Sequence, residues 1–187
     1  GKQSEVLIYH CKFFKITQAA AIFMTSGARS RVRSCQFHGC FDVGVQVSDS
    51  ECTVDENEFS ENESHGVLVE MKGRGKIRSN HFVNGRKASV AICSQGDPIV
   101  VGNTIENSQA TGIFIFEAGK GTVEKNKIAG SLLAGIEVRD NDSDPMLIGN
   151  EIYNGSNGGI VIHSFARGTA KQNKICDNKN AGITICT

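Results

Sequence analysis

The 187-residue chain carries 20 Lys and Arg against 20 Asp and Glu, so its formal charge is zero. That balance argues against the basic excess with which proteins neutralise nucleic-acid phosphates or settle on anionic membranes. No apolar run reaches the roughly 18 residues a membrane span needs, and the opening stretch GKQSEVLIYHCKFF lacks the long apolar segment of a secretory leader.

The inventory is skewed toward β-structure. Thirty-three Ile and Val residues stand against five Leu, with 21 Gly, two Pro and no Trp. β-branched side chains fit pleated surfaces and Gly fits tight turns. The seven cysteines are odd in number and form no CxxC pair, which points to reduced thiols in a cytoplasmic or nuclear protein.

Read in order, the chain repeats itself. The pattern apolar-x-x-Asn-x-apolar occurs as VDENEF, IRSNHF, VVGNTI, VEKNKI, LIGNEI and AKQNKI, centred on Asn57, Asn80, Asn103, Asn126, Asn150 and Asn173. Upstream, Cys11 and Cys35 hold the same slot in IYHCKF and VRSCQF, and successive spacings are 22–24 residues. A second mark, Gly-apolar-x-apolar, follows each slot as GVQV, GVLV, GIFI, GIEV, GIVI and GITI, with Ala21 and Ser89 replacing Gly in two turns. Two marks sharing one period predict an all-β, right-handed parallel β-helix of about eight turns, forming one repeat domain over residues 1–187. A leucine-rich repeat has a similar period, but five Leu cannot supply several per repeat.

The Asn slot is expected to form a buried ladder, each amide bonding backbone groups and the Asn of the next turn. Cys11 and Cys35 are expected to pack inside at the same position. A finer alternation overlies the single turn. Gly75, Gly121 and Gly168 mark one kind of turn, and Pro98 and Pro145 mark the other, where a fixed φ is expected to set a bend.

Those alternating phrases, GIFIFEAGKGTVEKNKI and GIEVRDNDSDPMLIGNEIYNGSNGGIVIHS, resemble the C-terminal β-helix of F-box-only proteins, the CASH domain. The resemblance is clearest from about Asn57 to Thr187. It implies the substrate-recruiting region of a ubiquitin ligase, although the chain contains no F-box segment. Similar repeats occur in bacterial periplasmic proteins related to the nitrous-oxide-reductase maturation factor.

The chemistry-bearing residues give no catalytic set. Glu70, Glu117 and Glu137 fall at outward or turn positions without an Asp-Asp-His grouping, so no catalytic residue, cofactor or metal is assigned. The Asp140–Asp142–Asp144 loop has Pro145 where a calcium loop requires Gly. The outward stripe of the Gly-apolar-x-apolar strand is more informative. It brings Leu68, Phe114, Phe116, Glu137, Arg139 and His163 to one face, with Ala91 and Cys93 among them, and such exposed apolar surface marks partner sites. A protein partner is expected there, with a carbohydrate ligand as the alternative and a structural spacer as the third reading. Further chain is expected to cap both ends of the rod.

Overall fold

The computed structural model describes residues 5–187. Each turn contributes three short strands; in the sixth they are Thr122–Glu124, Lys127–Ala129 and Ile136–Arg139. Equivalent strands of successive turns pair in parallel, giving three eight-stranded sheets that run the length of the rod. The result is a parallel β-helix of eight turns, as the period predicts.

Register is strict, so every residue lies against its equivalent one turn away. In the first sheet Ile8, Val32, Val54 and Ile77 follow one another inward. In the second, the rings of Phe13, Phe37, Phe59 and Phe82 stack with centroids 4.6–4.8 Å apart. Ile105, Ile128 and Ile152 continue that column where the aromatics stop. Alternation turns one side chain in two toward this interior, and each fully buried Ile or Phe contributes about 1.5–3 kcal/mol.

The Asn ladder satisfies the bend between the first and second sheets. The Asn103 backbone N–H donates to Asn126 Oδ1 at 2.9 Å, and the Asn103 Nδ2 donates to the same oxygen at 2.9 Å and to Ile77 O at 2.9 Å. The same triplet of bonds repeats from Asn57 and Asn80 to Asn126 and Asn150. Asn173 closes the series half-buried, donating to Leu147 O at 2.8 Å. Cys35 fits the slot as expected, buried and receiving the Cys11 N–H on its Sγ. Cys11 does not: it is exposed, because it lies in the first turn, where no described turn stacks on its outer side.

A second, broken ladder occupies the bend between the second and third sheets. Asn62 accepts the Cys40 N–H at 2.9 Å and donates to Phe37 O at 3.3 Å, and Asn178 repeats the arrangement with Gly155 and Ile152. Between them the slot holds Gly85, Ser108, Ser131 and Gly155, so the sequence shows no regular Asn here. Beside Gly85 a cavity of about 10 Å³ opens against Asn62 and Phe59.

The two-turn alternation is a steric device. Pro98 lies within the strand Asp97–Val101, in register with Gly75, and not at the expected bend. Gly121 approaches Pro98 from the other side at φ +104°, where an added Cβ would sit 2.4 Å from Pro98 O. Only a residue without Cβ admits that approach.

Stacking like on like is unfavourable for charges, and the outer face of the first sheet alternates sign instead. Arg29, Glu51, Arg74 and Asp97 succeed one another, as do Arg33, Asp55 and Arg78. Asp55 is only 1% exposed, held by Arg31 Nη2 at 2.6 Å and Arg78 Nη2 at 3.0 Å. Burial pushes its pKa up, but the two guanidiniums outweigh this and hold the carboxyl below the ordinary range.

Two substitutions test the ladders. Asn126→Leu leaves the Asn103 N–H and Val100 O unpaired and should cost about 1–3 kcal/mol, read as a lower thermal midpoint; an unchanged midpoint rejects the ladder as a stabilising element. Gly85→Asn has room, since its Cβ would meet nothing closer than Lys87 O at 3.7 Å. Its amide should extend the second ladder by one position beyond Asn62 and raise the midpoint by about 2–4 °C for a gain near 1 kcal/mol.

Candidate functional site

The outer face of the third sheet departs from these pairing rules. Its strands include Val67–Glu70, Val90–Ile92, Ile113–Ile115, Ile136–Arg139 and Ile160–His163, and alternation sends every second side chain out. Phe114 and Phe116 project together and stack on one another, centroids 4.5 Å apart and planes within 16°. From the next turn the Arg139 guanidinium lies over them, 4.8 Å from the Phe114 centroid and 5.7 Å from that of Phe116. Its Nε is buried without a hydrogen bond, Asp140 Oδ2 being 3.5 Å away. The rings therefore hold the cation, an interaction of about 0.5–2 kcal/mol depending on desolvation.

Beside this cluster runs a chain of hydrogen bonds across three turns. Glu137 Oε1 meets His163 Nε2 at 3.1 Å, and Glu137 Oε2 accepts the Thr111 hydroxyl at 3.0 Å. The second imidazole nitrogen, Nδ1, meets Ser164 Oγ at 2.9 Å. Toward the other end of the face, Gln46 Nε2 donates to Glu70 Oε1 at 2.7 Å.

The structure thus brings together five of the six residues expected at the site. Phe114, Phe116 and Arg139 form one contact group, and Glu137 and His163 form another beside it. Leu68 is half-buried two turns from Phe114, with Ala91 between them in register. Thr111 and Ser164 were not anticipated. Both lie outside the alternating strands, and no sequence spacing ties them to Glu137 and His163.

Ala91 and Cys93 correct the reading of an evenly exposed stripe. Both are directed outward, yet Ala91 is 0% and Cys93 5% exposed. Turns lie about 4.8 Å apart, so longer side chains on adjacent turns close over a methyl or a thiol. Burial pushes the Cys93 thiol up to about 11, and the carboxylates of Glu70 and Glu117 add to the shift. All seven cysteines are free thiols. Among the described residues no three His, Cys, Asp or Glu side chains group to hold a metal ion.

Fold and outer face define a right-handed parallel β-helix with a mixed aromatic and polar site on one sheet. Residues 1–105 and 50–187 match the family described as the right handed beta helix region, and the chain belongs to it. No curated protein matches it in sequence. Three solved chains match in structure. One is a mutant of the periplasmic alginate epimerase AlgG, with a TM-score of 0.54 and 11% identity over 98% of this chain and 61% of that one. At that identity the likeness is one of fold. This chain spans about three-fifths of that epimerase.

The covering of Cys93 is directly testable. Phe116→Ala should speed alkylation of Cys93 in the folded protein, while exposed Cys11 and Cys186 react at their former rates. Equal Cys93 rates in the two proteins would show that another side chain covers it.

Proposed function

We propose that the protein is a recognition module for an elongated carbohydrate, which lies along the outer face of the third sheet. The observation that carries this reading is the makeup of that face. Cross-turn pairs occur on all three outer faces, Arg29 with Glu51, His81 with Glu106 and here His163 with Glu137. Among the described residues, only this one sets its pair beside stacked rings, those of Phe114 and Phe116, with the Glu70 carboxylate further along the same row. Sugars present apolar C–H faces and hydroxyl donors in alternation, which such a row matches. From Gln46 to His163 the row crosses five turn spacings, about 24 Å, enough for a linear oligosaccharide. The fold shared with an alginate epimerase supports the same ligand class.

A second reading is favoured by one contact. An Arg held on two aromatic rings is the composition of a protein hot spot, and the resemblance to F-box-only proteins makes the partner a ubiquitin-ligase substrate met in the cytoplasm or nucleus.

A glycan array probed with the wild-type protein and with a Phe114→Ala, Phe116→Ala double variant separates the two. The carbohydrate reading expects a defined oligosaccharide on the wild type, weakened at least about 30-fold in a folded double variant, since a hot-spot aromatic contributes about 2 kcal/mol. An empty array, with a purified protein partner bound by the wild type and lost by the double variant, selects the second reading.

A further inference from the structure

We infer that Ser164, His163 and Glu137 form a nucleophilic site able to cleave a carboxylic ester, a function beyond recognition and independent of which ligand the face binds. The argument begins with the proton positions. A carboxylate only accepts hydrogen bonds, and both oxygens of Glu137 are engaged, Oε2 by the Thr111 hydroxyl and Oε1 by His163 Nε2. His163 therefore carries its proton on Nε2. In the neutral imidazole that leaves Nδ1 as an acceptor, and the group 2.9 Å from it is the Ser164 hydroxyl, which then donates. The donors of Ser164 and His163 then run in series to Glu137, whose other oxygen is held by the Thr111 hydroxyl from the opposite side. This is the arrangement of nucleophile, base and orienting acid by which hydroxyls are activated on unrelated folds.

The surroundings fit the role. Ser164 sits at the tip of a turn at φ +53°, followed by Phe165 at φ +63°, so two consecutive residues hold left-handed conformations. Among the described residues, the backbone N–H groups of Ser164 and Phe165 donate to no carbonyl, which is also true of Ser94 and Gln95 in an equivalent turn. Turns of this kind aim successive N–H groups at an anion. Phe165 is 72% exposed. Neither packing nor backbone preference accounts for an aromatic side chain there, whereas an apolar acyl group beside Ser164 would use it.

The step is balanced. Ser164 Oγ attacks the ester carbonyl carbon while its proton passes to His163 Nδ1, and Glu137 stabilises the resulting imidazolium through Nε2–H. The carbonyl oxygen takes the negative charge against the free N–H groups. Collapse breaks the bond to the leaving alcohol oxygen, which takes the proton from Nδ1, and Ser164 is left acylated. Water then attacks the acyl carbon, giving one proton to Nδ1; Ser164 Oγ leaves with that proton, and the carboxylic acid departs. Glu137 acts here as a positioning residue.

The fold supplies an internal control. Ser94 occupies the equivalent turn position three turns earlier, also left-handed at φ +47°, but its hydroxyl faces Glu117 at 3.4 Å and no imidazole. A fluorophosphonate, which phosphonylates activated serines, should add once to the native protein, and peptide mapping should place the adduct on Ser164 and not on Ser94. His163→Gln, checked for folding by its thermal midpoint, should slow the addition about 100-fold or more, the usual contribution of a general base. Para-nitrophenyl acetate should be hydrolysed by the wild type and not by Ser164→Ala. No adduct on the native protein, equal labelling of Ser94 and Ser164, or an unchanged rate in folded His163→Gln overturns the inference. Should His163→Gln unfold, the ratio of Ser164 to Ser94 labelling in the wild type decides alone. Failure here leaves the glycan result standing, because recognition by the Phe114–Phe116 face needs no nucleophile.

Discussion

The structure depends on one constraint: each side chain has its own equivalent, one turn away, as its nearest neighbour. A residue type survives at a given position only if it tolerates a copy or a complement of itself about 4.8 Å off. Apolar side chains do so trivially, and the Phe13–Phe37–Phe59–Phe82 column shows that aromatic rings do as well. Among polar residues Asn is unusual in being self-complementary. Its oxygen accepts the N–H and amide of one neighbour while its nitrogen donates to the oxygen of the other, so a buried polar column leaves nothing unpaired. Cys35 ends the Asn column at little cost, because a small thiol is weakly polar and needs no partner of the same strength.

Charges fail the same test, since like charges directly opposite one another repel. The first sheet resolves this by alternating sign from turn to turn and by burying Asp55 beneath two guanidiniums. Buried ion pairs contribute little net stability, but breaking one is expensive. Such a lattice of opposite charges penalises any slip in register. The outer face of the third sheet obeys neither rule throughout. Phe114 is followed by Glu137 and then Val161, and Phe116 by Arg139 and then His163. No stacking requirement selects that order, which sets this face apart from the charge-alternating one.

Fold and core were legible because the period encodes them. The Asn slot and the Gly-apolar-x-apolar strand recur every 22–24 residues, and the structure places both where alternation puts them. The site was legible only in part. Phe114, Phe116 and Arg139 could be aligned from spacing alone, since i and i+2 share a face and one period gives the neighbouring turn. Coverage was not legible: Ala91 and Cys93 point outward as spacing demands, yet the depth of a small side chain depends on the reach of its neighbours. Pro98 was misplaced for a related reason, because its partner is Gly75 of the adjacent turn and not its own chain neighbours. The second ladder escaped notice since Gly and Ser interrupt its Asn residues.

The hydrogen-bonded relay lay beyond pattern reading for a geometric reason that also bears on what it can do. Thr111, Glu137 and His163 are separated by 26 residues at each step, one period plus two or three, so each bond runs diagonally between turns instead of straight along the stack. Diagonal contacts exist only if neighbouring turns keep a fixed offset. In a rod whose turns are locked by a continuous Asn ladder and by Gly121 seated against Pro98, that offset is set by groups far from the site. Interiors packed this tightly hold side chains in discrete positions. The donors and acceptors around His163 are therefore arranged before any ligand arrives, and preorganisation of that kind is the condition under which hydrogen-bond donors stabilise developing charge at little reorganisation cost.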